Sequence, residues 1–93
     1  MACNENHSAL SHIMANLPND QGGGIGRHKC AACAYKKGFE AGYNLIENLD
    51  INNILSKLKE SQTGAQKHKS PLAAFAIGYY DGVCAKTKIR NNE

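Results

Sequence analysis

Apolar residues recur with the spacing of an α-helix in four stretches of the chain, and no stretch alternates as a half-buried strand would. The first stretch covers residues 8–17 and ends before Pro18, and the third follows Asp50, a residue type that suits the N-cap of a helix. The pattern predicts one small all-α domain of four helices, with frayed ends at about residues 1–6 and 87–93.

The second and fourth stretches resemble each other. The pattern of residues 27–42 is repeated forty positions later in residues 67–82. His, Lys, Ala and two Gly are identical at equivalent positions. A glycine inside a helix costs about 1 kcal/mol relative to alanine, so we expect another backbone to pack closely against it. The sequence therefore predicts an internal duplication whose two helices pack through glycine-bearing faces. The glycines lie four residues apart on each apolar stripe: Gly38 and Gly42, then Gly78 and Gly82.

The chain is short, near the size at which a single hydrophobic core stabilises the fold only modestly. The chain has 93 residues, of which 42% are apolar and none is Trp. Such a core relies on close backbone approach, so a homodimer or other homo-oligomer is expected. The net charge of +3 permits an acidic partner. With no basic leader and no apolar run long enough to span a membrane, the sequence predicts a cytoplasmic protein with reduced thiols.

Cys30 and Cys33 lie one helical turn apart, so their sulfurs can approach one ion. Such a pair often begins a tetrahedral zinc site, and we expect His28 as a further ligand, although nothing in the sequence requires a cofactor. A second cysteine pair is missing, and the other repeat has Ser70 and Ala73 at these places. The alternative is therefore plain packing of small residues. A redox pair is the third interpretation, against which the lack of a βαβ setting counts.

Each repeat helix is preceded by a basic triplet. Unbonded N–H groups, the positive end of the helix dipole and adjacent cations together form an anion site. Two such sites related by the repeat can contact phosphates of one nucleic acid. The alternative is that these residues are ordinary solvated charges. The triplets consist of Arg27, His28 and Lys29, and of Lys67, His68 and Lys69.

Groups suited to catalysis are scattered along the chain. No Ser/His/Asp or Cys/His/Asn set follows from the spacing, and nothing orients the histidines as bases. The acidic residues likewise form no evident pair, and we expect a non-catalytic protein. The carboxylates considered are Glu40, Glu47, Asp50 and Asp81.

Two short stretches resemble known proteins. Residues 17–38, with LP at 17–18, QG at 21–22 and the run GRHKCAACAYKKG at 26–38, resemble a motif of small bacterial proteins of unassigned activity that also occurs in segments attached to restriction-type nucleases. Residues 34–42, with the run AYKKGFEAG, are similar to a helix of ribosome modulation factor. The second resemblance implies contact with ribosomal RNA, and both favour a nucleic-acid partner.

Together, these patterns predict a small non-catalytic binding module. We expect it to contact nucleic acid, or a protein bound to nucleic acid, through the two basic helix starts. The alternative is a protein–protein adaptor or homodimeric regulator that uses the helix faces. Either function is compatible with a stabilising zinc ion.

Overall fold

The structure, a computed structural model, describes residues 7–18, 29–59 and 69–91. Within these ranges the chain forms helices and no strand, which confirms the predicted all-α fold. The predicted frayed segment at residues 1–6 lies outside them. A 3-10 turn, Ser8–Leu10, leads into α1 (Ser11–Ala15), and the other helices are α2 (Ala31–Tyr43), α3 (Ile51–Ser56) and α4 (Pro71–Asn91).

The short helices α1 and α3 place equivalent residues in the core. Met14 and Leu17 are buried, as the apolar stripe of the first stretch predicts. Leu55 and Leu58 are buried in the same core cluster. Leu55 lies forty-one positions after Met14, and Leu58 lies forty-one positions after Leu17. The resemblance between the two halves therefore extends to the segments that contain the short helices.

Side chains cap the starts of α3 and α4 at the residues that the sequence predicts. The Asn53 N–H donates to Asp50 Oδ1 at 3.1 Å. The Ala73 N–H donates to Ser70 Oγ at 3.1 Å, and Pro71 is the first residue of α4. Such caps satisfy N–H groups that have no partner within the helix.

The long helices α2 and α4 pack on each other through their glycines. A Cβ added at Gly38 would overlap the carbonyl oxygen of Phe75, and one added at Gly42 would overlap that of Tyr79. A step of four residues along α2 therefore matches a step of four residues along α4 in the same direction. The two helices are parallel, and their N-termini lie at the same end of the pair.

The glycines of α4 contact backbone carbonyls of α2 in the same way. Gly78 faces the carbonyl oxygen of Tyr35, and Gly82 faces that of Phe39. Each of these pairs corresponds to a pair described above, forty positions away, so the interface has approximate twofold symmetry. Packing through glycine-bearing faces is confirmed, whereas the duplication of the chain stays a prediction.

Each short helix is bonded to the start of the long helix from the other half. The carbonyl oxygen of Pro18, after α1, accepts the Ser70 N–H at 3.0 Å. That of Lys59, after α3, accepts the Cys30 N–H at 2.8 Å. These crosswise bonds hold the beginnings of α2 and α4 at one end of the molecule.

Helix α2 ends at Tyr43, before the apolar pattern stops at Leu45 and Ile46. Leu45 has a φ of 55°, and the N–H groups of Leu45 and Ile46 bond back to carbonyls of the last helical turn. This is the bonding of a Schellman motif, in which glycine is the usual residue. From α4, the Tyr79 hydroxyl donates to the carbonyl oxygen of Ile46 at 2.7 Å and holds the turn in place.

Helix α4 continues to Asn91, beyond its predicted end near Lys86, so part of the predicted frayed segment 87–93 is helical. The Thr87 hydroxyl donates to the Val83 carbonyl oxygen at 2.6 Å. Among the helices that the structure describes, none combines the length and apolar character needed to cross a membrane.

A hydrogen bond between side chains crosses the interface between α2 and α4. The Tyr35 hydroxyl donates to Asp81 Oδ2 at 2.7 Å. Burial, this hydrogen bond and the charge of Asp81 raise the pKa of Tyr35 to about 12, so the phenol keeps its proton at neutral pH. The counterparts of these residues in the other half are Phe75 and Ala41, which cannot form this bond. The two halves therefore share a backbone arrangement but differ in side-chain chemistry.

Candidate metal centre

Three ligand atoms converge at the start of α2. The Nε2 atom of His7 lies 3.6 Å from Cys30 Sγ and 3.6 Å from Cys33 Sγ. All three atoms lie within 4.8 Å of one another. The structure thus brings together the two cysteines that the sequence predicts as metal ligands, and it adds a histidine from before α1.

The first turn of α2 positions both sulfurs. Cys30 is the N-cap residue, and its Sγ accepts the Cys33 N–H at 3.4 Å. Because residues three apart in a helix share a face, the two side chains lie on the same side of the turn. The bond from the Cys30 N–H to the Lys59 carbonyl oxygen fixes the cap from outside the helix.

His7 reaches this turn from the start of the first helical segment. Its carbonyl oxygen accepts the Leu10 N–H at 2.9 Å, so its backbone belongs to the 3-10 turn. Met14 and Leu17, on the same segment, are buried in the core and dock that segment onto the long helices. The His7 side chain is itself only 8% exposed.

The two nitrogen–sulfur distances match those of a tetrahedral zinc site. With zinc about 2.3 Å from sulfur and about 2.0–2.1 Å from nitrogen, the nitrogen and each sulfur are about 3.6 Å apart. A hydrogen bond to sulfur has a similar length. A hydrogen bond would have to divide one N–H between two acceptors, because His7 Nε2 approaches the two sulfurs equally. That arrangement is typical of ligands around a shared centre.

Burial and charge also favour a soft divalent ion. Cys30 is fully buried, His7 nearly so, and Cys33 is half-buried. Buried charges are costly unless they are compensated. Two thiolates and a neutral imidazole around Zn²⁺ have no net charge, so the occupied cluster is neutral. Sulfur and imidazole ligands also suit zinc, whereas Mg²⁺ and Ca²⁺ prefer oxygen.

The equivalent place in the second half carries none of these ligands. Its three positions are filled by Asn48, Ser70 and Ala73. Ser70 nevertheless forms the same capping bond that Cys30 forms. A helix start of this kind therefore folds without sulfur, and packing alone does not account for two cysteines and a buried histidine in the first half.

The sequence does not predict His7 as a metal ligand, because 23 positions separate it from Cys30. A signal was present, since His7 shares the helical stripe of Leu10, Met14 and Leu17 and is the polar residue on it. His28, the ligand that the sequence predicts, lies outside the described residues and stays a prediction.

Cys84 lies apart from the cluster. It is an exposed cysteine on α4 that forms no disulfide, whereas the described group of potential ligands consists of His7, Cys30 and Cys33. The helical angles predict this separation, because Cys84 and Cys33 both point away from the glycine faces.

Of the two basic triplets, the structure describes Lys29 and Lys69, which directly precede the N-caps of α2 and α4. Both are half-buried. Lys69 Nζ donates to the Leu17 carbonyl oxygen at 3.2 Å, an interaction that suits the C-terminal end of α1. The other members of the triplets lie outside the described residues: Arg27, His28, Lys67 and His68.

Two N–H groups in the first turns of the long helices are used by the caps. The Cys33 N–H donates to Cys30 Sγ, and the Ala73 N–H donates to Ser70 Oγ. Ala31 and Ala32 are fully buried, and Pro71 has no N–H. The anion sites at the two helix starts stay a prediction.

The chain was compared with protein-family models, with curated proteins and with solved structures. None of the three comparisons finds a match, so the chemistry of the site carries the functional conclusion.

Proposed function

We propose that this protein is a small non-catalytic binding module stabilised by a zinc ion that His7, Cys30 and Cys33 hold. The approach of one buried imidazole nitrogen to two sulfurs, at 3.6 Å each, carries the proposal. The ion links the segment before α1 to the first turn of α2. Structural zinc adds its binding free energy to the free energy of folding, which matters in a small core rich in alanine and glycine.

A structural zinc ion takes four ligands, of which the described residues supply three. His28, the ligand predicted from the sequence, is the first candidate for the fourth position. The alternatives are Cys3, a thiol outside the described residues, and a water molecule, which would leave the ion with an exchangeable ligand.

We expect the purified protein to contain about one zinc ion per chain, measured by metal analysis after removal of loosely bound metal. The substitutions His7→Asn, Cys30→Ser and Cys33→Ala each introduce the residue that the second half carries at that position. They preserve the local fold and remove a ligand. Each should weaken zinc binding by more than the roughly 10–100-fold that the loss of an outer-shell partner costs.

Cys84→Ser is the matched control, because it removes an exposed thiol outside the cluster and should leave zinc binding unchanged. His28→Ala tests the predicted fourth ligand: a loss of affinity assigns that position to His28, and parent-like affinity excludes His28. A parent protein that takes up no zinc would refute the proposal. So would parent-like binding by all three ligand variants.

A second activity, contact with nucleic acid, is favoured by the parallel arrangement of α2 and α4. Because the helices begin at the same end, Lys29 and Lys69, the described members of the two triplets, lie at one end of the pair. Cationic side chains placed together in this way suit the phosphates of a single nucleic acid. The net charge of +3 is compatible with such a partner.

We expect nucleic-acid binding to weaken as salt concentration rises. The double variant Arg27→Gln/Lys67→Gln should lower the slope of log affinity against log salt by about two units if each side chain contacts one phosphate. It leaves untouched Lys69, which is bonded to α1. The measurement is a titration of labelled RNA or DNA with zinc-loaded protein at several salt concentrations.

The control is the double variant Lys37→Gln/Lys88→Gln, which removes the same charge from exposed positions on α2 and α4 outside the triplets. Equal effects of both double variants would mean diffuse attraction and no site. If the parent protein binds no nucleic acid even at low salt, the nucleic-acid function is refuted. The alternative, a protein–protein adaptor or homodimeric regulator, then becomes the proposed function. The exposed side chains of Leu72 and Tyr80 on α4 would then be the first surface to test.

A further inference from the structure

The two cysteines of the cluster differ in their access to solvent. Cys30 has no exposed surface, and its N–H is bonded to the carbonyl oxygen of Lys59. Cys33 is half-buried. Oxidation of cysteine follows thiolate character and exposure, so a small oxidant in solution meets Cys33 first.

The geometry also provides a partner for an oxidised Cys33. The two sulfurs lie within 4.8 Å of each other, and a disulfide needs about 2.0 Å between them. The Cys33 N–H already donates to Cys30 Sγ, so the buried sulfur is turned towards Cys33. A modest side-chain movement within one helical turn is therefore enough to join them.

We infer that Cys33 is a site of oxidation by hydroperoxides and that Cys30 resolves the product as a disulfide. The Cys33 thiolate attacks the O–O bond of hydrogen peroxide, forming a sulfenic acid and releasing hydroxide, which takes up a proton. The Cys30 thiolate then attacks the Cys33 sulfur, the S–S bond forms, and a second hydroxide leaves and is protonated. Two thiolates lose two electrons, the peroxide gains them, and two waters form.

The disulfide removes two of the three described zinc ligands, so oxidation releases the ion. This consequence rests on the proposed zinc site, whereas the disulfide itself does not. Release also breaks the link between His7 and the first turn of α2. The second half cannot respond in this way, because Ser70 and Ala73 replace the cysteines. Oxidation therefore acts on one half of a nearly symmetric fold.

The experiment treats zinc-loaded full-length protein with one to a few equivalents of hydrogen peroxide. We expect release of about one zinc ion per chain, followed with a chromogenic zinc indicator, and a disulfide between Cys30 and Cys33, identified by peptide mass spectrometry. A thiol reductant with added zinc should restore the bound ion. Cys84→Ser should release zinc at the parent rate, because its thiol is exposed but outside the cluster.

A second arm tests the order of the steps. In Cys30→Ser, the sulfenic acid cannot be resolved and should accumulate at Cys33, where a dimedone probe traps it. Cys33→Ala should give little trapping at the buried Cys30. Stronger trapping at Cys30 in Cys33→Ala than at Cys33 in Cys30→Ser would overturn the assignment of roles. Neither variant needs to bind zinc for this comparison.

The outcomes separate the two proposals. Zinc loss without a disulfide between Cys30 and Cys33 overturns the inference and leaves the zinc site standing. A protein that binds no zinc but forms this disulfide refutes the zinc site and supports the oxidation. Oxidation confined to Cys84 overturns the inference whether or not zinc is bound.

Discussion

Gly38→Ala and Gly78→Ala should each destabilise the domain by about 3 kcal/mol or more, at the upper end of the cost of overpacking. An added Cβ at these positions would overlap the carbonyl oxygens of Phe75 and Tyr35. These are backbone atoms of the facing helix, so no side-chain rotation relieves the overlap. Room for the methyl group comes only from separating α2 and α4, which form the centre of the fold.

The expected fall in stability is specific to the tertiary contact, because the same substitution has the opposite effect elsewhere in helices. In an exposed helix, Gly→Ala stabilises by about 1 kcal/mol, so a destabilised variant reports the tertiary contact and not the helix. For a domain of this size, 1 kcal/mol corresponds to about 4–8 °C in Tm, and a fall of more than about 10 °C is expected. Thermal unfolding followed by circular dichroism measures it.

The control is Lys37→Ala, at the exposed position beside Gly38, which should change the free energy of unfolding by no more than about 0.5 kcal/mol. Because the interface is reciprocal, Gly42→Ala and Gly82→Ala should also be strongly destabilising. A Gly38→Ala protein that melts like Lys37→Ala would show that the helices are not in this contact.

Removal of zinc should lower the Tm by about 15 °C or more. At a free zinc concentration a thousand times the dissociation constant, the bound ion stabilises the fold by about 4 kcal/mol, and the same scale of about 4–8 °C per kcal/mol applies. The ion does this by joining His7 to Cys30 and Cys33, two segments that the unfolded chain does not hold together. The measurement is the Tm with and without a strong chelator.

His7→Asn separates metal binding from other effects of the chelator. This variant carries the residue of the other half at the equivalent position. It should melt near the Tm of the chelated parent and should not respond to chelator. A parent that contains zinc but keeps its Tm after chelation would show that the ion contributes nothing to stability, and its role would then lie elsewhere.

The candidate metal centre was partly accessible from the sequence. Cys30 and Cys33 were found because their spacing places them on one face of a helix, and that is a local property. His7 was not, because its position near them depends on where α1 docks. Its place on the stripe of Leu10 and Met14 was a usable signal. A polar residue on an apolar stripe indicates burial, but it does not identify the partner.

Helix ends show the same distinction. The starts of α3 and α4 were predicted because Asp50 and Ser70 cap their own helices through bonds to residues three positions on. The end of α2 was not, because Leu45 adopts a positive φ that leucine rarely takes. A hydroxyl from α4 stabilises that turn by bonding to Ile46, and this contact depends on the packing of the two long helices.

The sequence by itself determined the four helices, two of the caps and the glycine faces, because helical period, capping and the cost of glycine act within a few residues. The tertiary structure alone decided that α2 and α4 run parallel and that Pro18 and Lys59 bond to the long helix of the opposite half. It also decided that His7 meets the cysteines. Each of these depends on contacts between residues far apart in the chain, which arise only when the core of Met14, Leu55 and their neighbours has packed.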